Sequence, residues 1–125
     1  MSVHTPAGAA LVALMGQTPR GPRREGVFAL WLTVRVAEDL LLVPQYPDRA
    51  VRRRVGALEQ RLSSLAFPAP LRRALAAAIA ELRSPSREQA TLVLQQLVAP
   101  ARETLGPEAG EALTRAVRAA RAAGS

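Results

Sequence analysis

Three charged residues sit in the most hydrophobic part of the chain: Arg35, Glu38 and Asp39, inside WLTVRVAEDLLLVP at residues 31–44. Two carboxylates beside a guanidinium are the raw material of an acid–base site, an ion pair or a docking ridge. On a helix turning 100° per residue, Glu38 and Asp39 flank Arg35, with Phe28, Trp31 and Leu42 between them. The remaining positions of this helix are apolar or small, so the charges occupy a strip only about 100° wide. This strip is the one part of the helix expected to reach water.

Acid–base catalysis needs a second group that faces the first and drives their pKa values apart. The chain offers little for that. Its single histidine, His4, lies near the N-terminus, and there is no cysteine. No E-x-x-H or H-E-x-x-H spacing and no glycine-rich phosphate cradle occurs. No catalytic, cofactor or metal residues are therefore assigned, and the chain is not expected to be an enzyme. A magnesium site made of carboxylates from distant segments is the one metal chemistry left open.

The strip has a bland reading, as the solvated edge of a core helix with Arg35 and Asp39 paired at i, i+4 for about 0.2–0.5 kcal/mol. It also has a functional one. Trp31 and Phe28 are two of only four aromatic residues, beside Tyr46 and Phe67. Tryptophan and arginine clustered on one ridge resemble an interface hot spot, and Arg35 is placed to lie over the Trp31 ring. Phe28, Trp31, Arg35, Glu38 and Asp39 are accordingly the candidate protein interface.

The second constellation is basic. All 17 basic residues are arginine, against 10 acids, for a formal net charge of +7. Residues 49–73 hold seven arginines against one acid, Glu59. Guanidinium binds phosphate and carboxylate bidentately and stays charged at any working pH. Arg49, Arg52, Arg53, Arg54, Arg72 and Arg73 are the candidate phosphate contacts of a nucleic-acid surface. Arg61 lies beside the apolar seam of the same helix.

Two weaker signals are present. Residues 71–98 have the gross shape of a helix-turn-helix, with Arg87, Gln89, Thr91, Gln95 and Gln96 on the second helix, but the turn lacks glycine. Arg115, Arg118 and Arg121 recur every third residue near the end of the last helix, where the helix dipole favours positive charge. An apolar-ligand pocket between helices two and five gains no particular support from so few aromatics.

The elements that position these residues follow from composition and proline. Ala, Leu, Arg and Glu make up 68 of 125 residues, there is no Asn, and no run of β-branched residues appears. An all-α fold is expected. At this length the chain is expected to be one domain, with residues 1–5 and 123–125 flexible and the basic Pro/Gly-rich stretch 17–26 an irregular loop. Prolines divide it into helices near residues 6–15, 24–43, 48–65, 68–83, 84–105 and 108–122. Pro100 should kink or split the fifth.

The expected architecture is a bundle of five or six short helices with a mostly apolar helix two at its centre. Apolar runs are interrupted by charge, so no membrane span or export signal is expected, and the cytoplasm is the default compartment. The leading functional expectation is a small adaptor, regulator or assembly subunit that meets a protein partner or a second copy of itself. The alternative is nucleic-acid binding through the arginine surface.

Overall fold

The computed structural model describes residues 8–42, 48–83 and 87–124. Those residues form seven helices and no strand: α1 (Ala9–Gln17), α2 (Pro22–Leu42), α3 (Asp48–Ser63), α4 (Ala69–Leu82), α5 (Arg87–Gln96), α6 (Val98–Leu105) and α7 (Pro107–Gly124). The all-α bundle is as the composition predicts. Its helix count exceeds the expected five or six because the fifth helix is divided.

The division has a specific cause. A continuous helix would drive the Pro100 ring into the carbonyl of Gln96. Instead α5 ends at Gln96, the Leu97 N–H donates to the Leu94 carbonyl at 3.2 Å, and α6 begins at Val98. Pro100 thereby falls in the first turn of α6, where a missing N–H removes no intrahelical bond.

The 17–26 stretch is also corrected. α1 runs on to Gln17 and α2 starts at Pro22, so only Thr18–Gly21 connect them. Pro22 suits a first helical position, and Gly21 takes a φ of +148° that a side chain would resist. The Thr18 hydroxyl donates to the Leu14 carbonyl at 2.7 Å and closes the end of α1. His4 and Tyr46 lie outside the described residues.

α2 packs against every other helix, which makes it the hub the sequence predicts. Val27, Ala29, Leu30, Thr33, Val34 and Ala37 are fully buried along it. They join the seams of α3 (Val51, Val55, Leu58, Leu62) and α4 (Leu71, Leu75, Ile79, Leu82) and the small-residue face of α7 in one core cluster. The Glu25 carboxylate accepts from the Ala66 N–H at 3.2 Å and ties the start of α2 to the far end of α3.

α6 and α7 approach unusually closely. A methyl group built on Gly110 would come within 2.8 Å of Arg102 Cβ, so the arginine stem lies directly on the glycine. Only a residue without a side chain permits that contact.

Candidate functional site

α2 and α3 run antiparallel, and a groove of about 320 Å³ opens between their outer faces. Its walls and floor are Trp31, Leu32, Arg35 and Val36 from α2, and Arg54, Ala57, Leu58 and Arg61 from α3. Two constellations that the sequence presents as separate, the α2 ridge and part of the α3 arginine set, thus share one site.

Trp31 anchors it. Its ring stacks with Phe28, centroids 5.8 Å apart and planes 20° apart, and the Arg35 guanidinium lies 5.2 Å from the Trp31 ring centre. Helical side chains lean toward the N-terminus, which brings Arg35 back over the residue four before it. On the α3 side, Arg61 lies 5.6 Å from the Phe28 ring centre. Such contacts are worth about 0.5–1 kcal/mol each at exposed sites, and they hold two guanidiniums at defined places on the groove rim. The Trp31 Nε1–H is buried and finds no acceptor among the described residues. A donor left unmade in that way typically costs about 1–3 kcal/mol.

The structure revises two expectations about the ridge. Asp39 does not pair with Arg35; it pairs with Arg54 of α3, because Arg35 has turned back over Trp31. Glu38 is not on the water-facing strip. It is only 5% exposed. Val27 and Val34, which project from the same side of α2, are fully buried, so packing closes over that edge. Of the five ridge residues, Arg35 is exposed, Phe28, Trp31 and Asp39 are partly buried, and Glu38 is buried.

The six candidate phosphate contacts do not form one surface. Arg54 is committed to Asp39. Arg72 stacks 4.3 Å from the Phe67 ring centre and donates to the carbonyls of Leu62 (3.3 Å) and Leu65, closing the end of α3. These two are therefore structural contacts. Arg49, Arg52 and Arg53 are exposed at the start of α3, and no carboxylate among the described residues pairs with them. Arg73 is exposed too, but belongs to the other end of the α3–α4 hairpin, on the order of 15 Å away along α3.

A second groove of about 350 Å³ lies among α5, α6 and α7, lined by Gln95, Val98, Ala99, Arg102, Thr114, Val117, Arg118 and Arg121. Arg121 donates to the Gln95 side chain at 2.6 Å, so one of the glutamines considered for base reading is engaged within the bundle. α2 and α5 pack directly on each other, with Val93, Leu94 and Leu97 buried.

Arg61 and the floor residues Leu32, Val36, Ala57 and Leu58 belong to the groove without being among the residues expected at a site. A usable signal existed. The short α2–α3 connection makes the helices antiparallel, so numbers that rise along α2 meet numbers that fall along α3. Asp39 opposite Arg54 and Phe28 opposite Arg61 follow that rule.

Among the described residues no three His, Cys, Asp or Glu side chains gather as metal ligands, and no helix is long and apolar enough to cross a membrane. No protein-family model matches the chain, and no curated protein and no solved structure matches it significantly.

Proposed function

We propose that this chain is a small, non-catalytic helical interaction protein, acting as an adaptor, regulator or assembly subunit through the α2–α3 groove. The observation that carries the reading is the groove's composition. An aliphatic floor, one anchored tryptophan and arginines held on aromatic rings are the ingredients of an interface hot spot. A cytoplasmic setting belongs to the same proposal and rests on the sequence alone.

Trp31→Ala tests it. The variant should weaken association by more than it weakens folding, measured by binding and by urea denaturation on the same protein. Equal losses in both would reduce Trp31 to a packing residue.

Nucleic-acid binding is kept as a second reading because Arg49, Arg52 and Arg53 stand exposed with no carboxylate partner among the described residues. It predicts affinity that falls steeply with salt. Low-salt chromatography, with light-scattering mass and the ratio of absorbance at about 260 and 280 nm read on one peak, separates the readings. Co-eluting nucleic acid lost at high salt favours the arginine face. A clean peak leaves the groove, and its mass reports whether a second copy is the partner.

A further inference from the structure

We infer that the occupant of the α2–α3 groove is an acidic amphipathic helical segment, laying an apolar stripe on Leu32, Val36, Ala57 and Leu58 and flanking carboxylates on Arg35 and Arg61. The inference rests on the reading of this groove as the contact face and names what it contacts.

Length comes from the groove's two ends. The Asp39–Arg54 pair marks one and the Phe28–Arg61 contact the other. The α2 segment between them spans on the order of 16 Å, about three turns of a helix laid alongside. Arg35 and Arg61 stand on opposite walls of the groove, so carboxylates flanking the apolar stripe on its two sides reach both.

Charge gives the sign. Among the described residues no carboxylate lines the groove. Asp39 pairs with Arg54, while Arg35 and Arg61 have ring contacts and, among the described residues, no carboxylate partner. A guanidinium lying on a ring keeps its N–H edge for a carboxylate. A second copy of this chain is disfavoured by its own charge of +7.

Single-stranded nucleic acid is disfavoured for a separate reason. Bases bind by stacking on free ring faces. Here Arg35 and Phe28 already lie against Trp31, and Arg61 against Phe28. The aliphatic floor suits methyl groups and not a sugar–phosphate chain.

Trp31 is the chain's only tryptophan, so its emission reports groove occupancy directly. The experiment displays randomised peptides of about 12 residues, roughly three helical turns, and selects them on the full-length chain. Winners are synthesised and titrated while Trp31 emission is followed. The expected winners are net acidic, carry apolar residues at helical spacing, and bind saturably.

Their affinity should fall about tenfold or more in the Arg35→Gln/Arg61→Gln variant. It should fall less than about threefold in Arg49→Gln/Arg52→Gln/Arg53→Gln, with both variants confirmed folded by circular dichroism. Neutral or basic winners that still shift Trp31 emission would overturn the acidic occupant while leaving the groove as the contact face. A selection yielding no arginine-dependent binder would overturn the inference. So would a single-stranded oligonucleotide that displaces the peptides from the groove. Unchanged affinity in Trp31→Ala would instead remove the contact-face reading itself.

Discussion

The α2–α3 and α5–α6–α7 grooves are close in size, about 320 and 350 Å³, and each is lined by three arginines and no carboxylate. They differ in what holds the arginines. In the first, Arg35 lies on Trp31, and Arg54 is anchored by Asp39; beside them Arg61 lies on Phe28. In the second there is no aromatic ring. Arg121 is tied to Gln95, the Arg102 stem rests on Gly110, and the floor is Val98, Ala99 and Val117. Equal charge therefore comes with unequal preorganisation. Guanidiniums already fixed on a surface lose less freedom when a partner arrives. This contrast favours the proposed contact at the first groove; in the second, Arg121 and Arg102 are engaged within the bundle.

The largest expected effect that could break this contrast is at Trp31. Trp31→Ala should weaken binding of a groove-selected peptide roughly 30-fold or more, about 2 kcal/mol. Arg118→Ala, in the other groove, should leave it within about twofold. Titration by Trp31 emission is impossible in the first variant, so labelled-peptide anisotropy makes the measurement for both.

Gly110→Val approaches the contrast from the other side. The new side chain must displace Arg102 and push α6 from α7, at a cost of about 1–3 kcal/mol in urea denaturation. Trp31 emission and peptide affinity should not change. If they do, the two grooves are coupled and cannot be treated as separate surfaces.

Smaller effects sharpen the picture. Asp39→Asn removes a partly exposed pair, with side chains 31% and 42% exposed at Asp39 and Arg54, so stability should move by less than about 1 kcal/mol. Freeing Arg54 should tighten binding of an acidic peptide up to about threefold, and lost affinity would contradict the charge assignment. Arg121→Ala loses an exposed bond to Gln95, so stability should fall by less than about 1 kcal/mol and peptide affinity should not change.

The fold was legible in the sequence because its cues are local. Proline positions and apolar spacing are read within a few residues, and an apolar circumference marks α2 as central wherever its neighbours sit. The errors arose where a second element decides. Glu38 shares the strip with Arg35 in projection, but burial on that side depends on helices that close over Val27 and Val34. Asp39 has two arginines within reach, and only the position of α3 selects Arg54.

Arg72 reads as one more surface charge until the α3–α4 hairpin puts it against Phe67 and the last carbonyls of α3. The groove itself was visible only in halves, one on each helix. Pro100 is an intermediate case: the disruption was legible and its location was not, because the clash is with a carbonyl four residues earlier.

One titration distinguishes the two grooves. An acidic peptide selected on the full-length chain is added to the wild type, to Arg35→Gln/Arg61→Gln and to Arg102→Gln/Arg118→Gln, while Trp31 emission is recorded. A saturable emission change is expected in the wild type, the same curve in the Arg102/Arg118 variant, and a curve shifted about tenfold or more to weaker binding in the Arg35/Arg61 variant. A shift in the Arg102/Arg118 variant with the Arg35/Arg61 variant unchanged would contradict that expectation and move recognition to the other side of the bundle.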